Sequence, residues 1–131
     1  VMLRTNLDTA RGFGQYIVRN DPALLDGYPA LELVRDEVRK DPRDWEQRWT
    51  IAAQTAGDVD ALRVLGQTGR MVALKDSGIW QALGDGAGGY DDALGNPFPP
   101  FAFNSGMDVE EVEREEAERL GLRLAAGKVL L

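Results

Sequence analysis

The segment NPFPPFAFNS, residues 96–105, restricts the fold of this chain more than any other stretch, because it combines three prolines with three phenylalanines. A proline has no amide donor for a helix, and it forces the residue before it into an extended conformation. Each proline also removes one hydrogen bond from a β-ladder, which excludes a central strand. Three roles stay open for the segment: a recognition ligand, a clamp for a partner, or a packed crossover inside the domain.

The absence of cysteine and histidine limits the chemistry that this chain can perform. Without cysteine there is no disulfide, no thiolate nucleophile and no cysteine-ligated zinc or iron–sulfur cluster. Without histidine the chain lacks the commonest general base and the commonest metal ligand. Most hydrolytic mechanisms are excluded, and we expect a non-enzymatic protein with no catalytic residue, no cofactor and no metal site.

Length and composition favour a single globular domain. The chain has 131 residues, of which 44% are hydrophobic and 28% charged, as in ordinary globular proteins. Its net charge of −7 disfavours nonspecific binding to nucleic acid, and no apolar run reaches membrane-spanning length. We expect one domain over residues 1–131. Because the chain opens on Val1 rather than methionine, we also expect a fragment of a longer protein.

The hydrophobic pattern predicts an α+β fold in which several short helices pack on a small sheet. The predicted strands are ALELVR (30–35) and RMVALK (70–75), and LRLAAGKVLL (122–131) is predicted to be a last strand or a truncated element. The predicted helices cover residues 6–21, 42–57, 58–66, 76–84 and 113–121. Their predicted N-terminal caps are Asn6, Asp58, and Asp76 or Ser77.

Trp45 and Trp49 stand four residues apart, on one side of a predicted helix. Together with the basic residues of RKDPRDWEQR (39–48), they could stack nucleobases. Tryptophans at this spacing are nevertheless typical of a core, and the acidic residues of the same stretch neutralise the basic ones. We therefore predict that both tryptophans belong to the core.

The loop DGAGGYDDALGNP (85–97) raises the hypothesis of a calcium site, since Asp85, Asp91 and Asp92 flank its glycines. The alternate acidic ligands and terminal glutamate of an EF-hand loop are absent. We interpret the segment as an acidic, turn-rich loop. A chelator is accordingly predicted to leave the melting temperature unchanged.

Four segments are distinctive in combination: LRTNLDTARGFGQY (3–16), YPALELVRDEVR (28–39), DSGIWQALG (76–84) and DDALGNPFPPFAFNSGMDVEEVEREEAERLGL (91–122). Together they resemble the C-terminal domain of the minor head proteins of tailed phages, the Mu F-like phage head morphogenesis family. The likeness covers the chain from about Leu3 to Leu122. Its most specific parts are the first segment and PPFAFNSGM (99–107).

This resemblance implies a structural or assembly component of the phage head, present in few copies. Its expected partners are the phage portal or capsid proteins, and its expected location is the virion head, or the host cytoplasm during assembly. The predicted partner-binding residues are Arg4, Arg35, Arg39, Arg43, Phe98 and Phe101.

Family members carry a histidine after the arginine segment and a Cys-Arg-Cys motif after the proline segment. Here RKDPRDW (39–45) and FAFNSGM (101–107) occupy those places, so any metal site that relatives build from them is absent. The resemblance favours the packed crossover for residues 96–105. It implies that the prolines fix an extended path at Pro99 and Pro100, while Phe98, Phe101 and Phe103 pack onto the sheet. A polyproline II docking ligand is the alternative.

A small phage-encoded toxin or nuclease-like enzyme of α+β fold is the alternative function. Its polar groups would be Arg4, Tyr16, Arg35 and Lys75, with Glu32 or Glu37 as the base. Nothing in their spacing singles these residues out. If the protein is an enzyme, we expect polar residues to converge in a cleft on the sheet. If it is a structural protein, we expect an exposed face that is apolar or charge-patterned.

Overall fold

A computed structural model of the chain describes residues 13–35, 44–99, 101–102 and 107–123, and these form an α+β fold as predicted. The first helix, α1, covers residues 13–19 of the described part. The elements after it are α2 (Pro22–Gly27), β1 (Ala30–Arg35), α3 (Trp45–Ala56), α4 (Val59–Thr68), β2 (Val72–Leu74), α5 (Ile79–Gly84), β3 (Met107–Val112) and α6 (Arg114–Arg119).

The three strands form one antiparallel sheet in the order β2-β1-β3, with β1 in the centre. Leu31 pairs with Ala73 on one side and with Glu111 on the other. Because successive side chains of a strand point to opposite faces, Leu31 and Leu33 share one face of the sheet, and Ala30 and Glu32 share the other. We call these the tryptophan face and the α6 face, after what packs on each.

Both faces are covered by buried side chains. The tryptophan face packs against a cluster that includes Trp45, Trp49 and Trp80, whereas Ala30 on the α6 face packs with Ala117 and other apolar residues. Trp49 is fully buried, and Trp45 is nearly so. The prediction that both tryptophans belong to the core is therefore confirmed.

Aspartates begin the two longest described helices, and glycines end them. The side chains of Asp44 and Asp58 accept hydrogen bonds from the third amide of α3 and of α4, respectively. Gly57 and Gly69 close the same helices in the left-handed conformation that glycine adopts without strain. The predicted end of α4 at Gly66 is wrong: a helix tolerates an interior glycine at about 1 kcal/mol, and the left-handed cap lies at Gly69.

The third strand was not predicted. Met107, Val109 and Val112 are buried along β3, but the carboxylates between them make the stretch resemble a solvated acidic run. The helix predicted at 113–121 is present as α6. Of the strand or truncated element predicted at 122–131, all but the first two residues lie outside the described part of the chain.

The proline segment turns instead of running straight. The amide of Phe101 donates to the carbonyl of Phe98 at 3.2 Å, which closes a turn around Pro99, so the predicted extended path is wrong here. Proline also favours the second position of a turn, so the prolines alone do not distinguish a turn from an extended path. Phe98 is only 6% exposed and Phe101 is fully buried, as the packed crossover predicted. Pro100 and Phe103 lie outside the described residues.

Two hydrogen bonds hold the residues just before this segment, one to α5 and one to the segment itself. The amide of Gly95 donates to the carbonyl of Gly84 at 2.7 Å, and the amide of Leu94 donates to the carbonyl of Phe101 at 2.9 Å. A Cβ atom at Gly84 would lie 1.9 Å from the carbonyl oxygen of Asn96. Only glycine allows the two backbones to approach this closely. Among the described helices, none is long and apolar enough to cross a bilayer.

An ion-pair network crosses the α6 face. Arg70 contacts Glu32 at 3.0 Å and Glu116 at 2.7 Å, and Arg119 also contacts Glu116. The hydrogen bond from Arg70, and then the one from Arg119, hold the pKa of Glu116 below its ordinary value of 4.5. A carboxylate with a lowered pKa stabilises the fold above the unfolded-state pKa, and this stabilisation is lost as the pH falls through the folded-state pKa.

We therefore expect the free energy of unfolding to fall as the pH is lowered below 4.5, and the Glu116→Gln variant to show a shallower fall. Denaturant titrations between neutral pH and pH 3 measure both profiles. Glu118→Gln is the matched control, because Glu118 is an exposed carboxylate on the same helix. Parallel acid profiles for the wild type and Glu116→Gln would show that this network does not contribute to acid sensitivity.

Candidate functional site

A cavity of about 250 Å³ opens on the tryptophan face of the sheet, and we call it the sheet cleft. The end of α1, the segment after β2 and the proline segment form its walls, with Leu31 and Val109 contributed by the strands. Its polar lining residues are Tyr16, Arg19, Asn20, Lys75, Asp76, Ser77 and Gln81.

One carboxylate joins two cations at the wall of the sheet cleft. The ammonium of Lys75 contacts Glu111 Oε1 at 2.7 Å, and Arg19 Nε contacts Glu111 Oε2 at 3.2 Å. Lys75 Nζ also donates to the backbone carbonyl of Arg19 at 2.9 Å. The Lys75 side chain is only 1% exposed, so this ammonium is a buried charge that needs these partners. The network connects α1 with the sheet.

The position of Lys75 follows from the strand before it. Its amide donates to the carbonyl of Pro29 at 2.9 Å and extends the antiparallel ladder by one residue past β2. The alternation of strand side chains then places Lys75 on the same face as Ala73, which is the tryptophan face. Lysine at this position therefore points to the cleft side of the sheet.

The guanidinium of Arg19 is not fully satisfied. Its Nη2 donates to the carbonyl of Val109 at a long 3.4 Å, and its Nη1 is buried with no hydrogen-bond partner among the described residues. Buried guanidinium donors are usually paired, because removing them from water without a partner is costly. Arg19 Nη1 is therefore an unsatisfied donor that is shielded from solvent.

Aromatic side chains form the other wall. Phe98 contacts Phe13 and Tyr16, with ring centroids 5.9 and 5.4 Å apart. Trp80 stacks on Phe101 at 6.1 Å, and its indole nitrogen donates to the carbonyl of Leu74 at 2.8 Å. The cleft thus combines a charged wall with an apolar, aromatic one.

The structure brings together only some of the residues predicted from the sequence. Phe98 and Phe101 line the sheet cleft and are buried, whereas Arg35 is exposed at the end of β1. The other predicted partner contacts, Arg4, Arg39 and Arg43, lie outside the described residues. Partner binding at these positions stays a prediction.

The residues proposed for an enzyme do not all lie at one site either. Tyr16 and Lys75 both line the sheet cleft. Glu32 lies on the opposite face of the sheet, where it pairs with Arg70 at 3.0 Å. Arg4 and Glu37 lie outside the described part. The cleft therefore does not contain Glu32, which is the only candidate base that the structure describes.

Arg19 and Glu111 are the site residues that the sequence analysis missed. Arg19 lies three residues after Tyr16 on α1, so helical spacing could have indicated it. Glu111 was hidden in the acidic run, because the strand that orients it was not recognised.

An arginine holds the loop of residues 85–97, for which a calcium site was considered. Arg48 forms a bidentate pair with Asp92, at 3.0 and 2.9 Å, and its guanidinium lies over the rings of Trp45 and Tyr90 at 4.8 and 4.0 Å. A bidentate, stacked guanidinium is a strong structural contact. Across the described ranges, no group of three or more acidic side chains is arranged to hold a metal ion. The predicted indifference to chelator stays a prediction.

No protein-family model, no curated protein and no solved structure matches this chain.

Proposed function

We propose that this chain is a structural or assembly component of a tailed-phage head, associated with the portal or capsid, and that it acts without catalysis. The proposal begins from the sequence resemblance over Leu3–Leu122. One structural observation supports it. In PPFAFNSGM (99–107), one of the most specific parts of that resemblance, the described residues Phe101 and Ala102 are buried in the domain, as in a packed crossover.

The packing of the crossover is extensive. Phe101 is fully buried against Trp80, and Ala102 forms a bridge with Ala93. Phe101 also adopts a positive φ of 66°, which costs a non-glycine residue about 1–2 kcal/mol. The surrounding contacts must offset this strain, so the segment is a fixed part of the fold. A flexible docking ligand would not hold a buried aromatic residue in this conformation.

The arrangement of charges also supports a non-catalytic role. Glu111 beside the cleft and Asp92 in the loop of residues 85–97 are both held in ion pairs with arginine or lysine. Asp76 is exposed at the rim of the cleft. Most charged groups of the described core therefore have a structural partner.

A nuclease-like enzyme is the second candidate, and one observation favours it. Tyr16, Arg19 and Lys75 converge in a cleft on the sheet, as an enzyme predicts. Glu32, the proposed base, lies on the α6 face, away from the cleft. A general base must be within hydrogen-bond reach of the proton that it removes, and this geometry separates the base from the other groups.

The test of the proposal is co-expression with the portal protein encoded in the same phage genome. We expect the two proteins to elute together in size-exclusion chromatography. Arg35→Glu should weaken the complex about tenfold, because reversing a charge at an interface places like charges together. Arg123→Glu is the matched control, since Arg123 is 83% exposed and lies beside α4.

A chain that forms no complex with portal or capsid protein would contradict the head-assembly proposal. Hydrolysis of RNA or DNA by the purified chain, abolished by Lys75→Ala in a folded variant, would establish the enzyme instead. The two experiments use the same preparation, so their outcomes can be compared directly.

A further inference from the structure

The first helix presents its apolar side chains to solvent. Arg19 of α1 lines the sheet cleft, so this side of the helix faces the domain. Residues four apart lie on one side of a helix, and Phe13 with Ile17 therefore forms one row and Gly14 with Val18 the next. The three large side chains of these rows are all more than half exposed. A helix that packs on a core normally shows the opposite arrangement, with its polar face outward.

Gly14 has no packing reason within the described part of the chain. A glycine inside a helix lowers the stability of that helix relative to alanine. A Cβ atom at Gly14 would have no heavy atom of the described residues within 4 Å. The missing side chain is therefore not needed for a contact inside the described domain. A second backbone that approaches this face from outside would give the glycine a role.

An apolar groove lies beside this face, between α1 and α2, and we call it the α1–α2 groove. Its volume is about 360 Å³. An engineered cavity of about 150 Å³ holds a benzene molecule, so the groove has room for an aromatic ring and an aliphatic side chain. Its two charged lining residues, Arg19 and Glu111, form an ion pair with each other at 3.2 Å. Its apolar lining residues are Gly14, Val18, Leu24 and Tyr28.

One face of the molecule thus combines projecting apolar side chains with an apolar groove that can receive them. Such a surface is complementary to a second copy of itself. A twofold axis close to Gly14 places Phe13 and Ile17 of each copy at the groove of the other, and reciprocal contacts of this kind define an isologous interface. The projecting side chains are uncharged, which matters because each chain has a net charge of −7 and two copies repel each other elsewhere.

The exposed area of this face suits a reversible dimer. The exposed fractions of its large side chains are 53%, 56%, 59% and 38%, in the order Phe13, Ile17, Val18 and Tyr28. With about 150–250 Å² for each side chain, they offer roughly 400 Å² of apolar surface per copy. Apolar atoms make up about 57% of a typical interface, so this corresponds to about 700 Å² per partner in total. A standard interface buries about 800 Å² per partner, and permanent dimers bury more.

We propose that the outward face of α1 is the interface of a reversible homodimer. Phe13 and Ile17 of each copy enter the α1–α2 groove of the other, and the two α1 helices cross at Gly14. This interface is separate from the sheet cleft and does not depend on the head-assembly role.

Sedimentation equilibrium of the full 131-residue chain, over micromolar concentrations, tests the proposal. We expect a monomer–dimer equilibrium with a dissociation constant in the micromolar range. The dimer should become tighter as the salt concentration is raised, because screening reduces the repulsion between two acidic copies.

Val18→Glu and Val59→Glu are the matched variants. The two valines are exposed to similar extents, 59% and 61%, but Val59 lies on α4. Val18→Glu should weaken the dimer at least about tenfold, because it places a like charge in the contact of each copy. Val59→Glu should leave the dimer unchanged. A thermal melt of each variant shows whether it is folded.

Gly14→Ala should have two effects of opposite sign. Alanine favours a helix more than glycine does and meets no described atom at this position, so the melting temperature of the monomer should rise. The same methyl group keeps the two helices apart, so the dimer should weaken at least about threefold. If the glycine has no role in dimerisation, only the first effect is seen.

Three results would overturn the proposal. The chain could stay monomeric throughout, or the dimer could be as tight in folded Val18→Glu, or in Gly14→Ala, as in the wild type. If Val18→Glu does not fold, Gly14→Ala decides alone. A monomeric chain whose complex with the portal protein is lost in Val18→Glu would assign this face to the portal instead. A dimer weakened by both substitutions on α1 and kept in Val59→Glu would establish the homodimer.

Discussion

Trp49→Ala is expected to remove a large part of the stability of the domain and to lower its melting temperature sharply. Trp49 is fully buried, and its ring meets that of Trp80 edge to face at 5.3 Å. Truncating a buried tryptophan to alanine costs about 3–5 kcal/mol, which is a large part of the 5–15 kcal/mol that stabilises a typical domain. Circular dichroism with a thermal melt measures the loss of helix and the fall in melting temperature.

Trp49→Phe is the control for this experiment. The indole nitrogen of Trp49 is buried without a hydrogen-bond partner among the described residues, so phenylalanine removes an unsatisfied polar group while it keeps an aromatic ring. The phenylalanine variant should lose much less stability than the alanine variant. A folded Trp49→Ala protein with an unchanged melt would show that the residue is not part of the core, as a base-stacking platform would require.

Phe101→Ala is the second substitution with a large expected effect. Its ring is fully buried and stacked on Trp80, so we expect a loss of about 3–5 kcal/mol in the free energy of unfolding. Urea titration of the isolated chain measures this loss. A docking ligand would behave differently: alanine would leave the melt unchanged and would prevent assembly with the partner.

Phe101→Gly separates the contribution of the buried ring from the cost of the backbone strain at this position. Alanine and glycine both remove the ring, but only glycine adopts a φ of 66° without strain. The glycine variant should therefore be more stable than the alanine variant by about 1 kcal/mol. Equal stability of the two variants would contradict the backbone strain at Phe101.

Local patterns predicted the first two strands and every described helix except α2, whose Pro22 and Gly27 are typical of a turn. Asp44 and Asp58 are followed by helices because each side chain caps an amide three residues later. Alternation in residues 30–35 indicated the central strand, which the structure contains with the predicted bounds. These features depend on neighbours in the sequence, so the sequence is enough to find them.

The missed features depend on partners that are distant in the sequence. β3 is a strand because Met107 and Val109 face a core made by other elements, and its acidic residues conceal that alternation. The turn at Phe98 is closed locally, but its rings pack against Tyr16 and Trp80, and the prolines alone do not specify these contacts. For the same reason the sequence suggested Tyr16 and Lys75 as separate polar residues, but it did not predict that Arg19 and Glu111 would join them.

The Glu111 bridge has a consequence for the order of folding. It joins Arg19 in the first described helix and Lys75 after β2 to the last strand, so the chain must close a loop of about ninety residues before all three charges meet. Closing long loops costs entropy that local helices do not lose, and contacts of this range form late in folding. The cleft therefore exists only once β3 has joined the sheet. Any molecule that binds there stabilises the completed domain and no earlier intermediate.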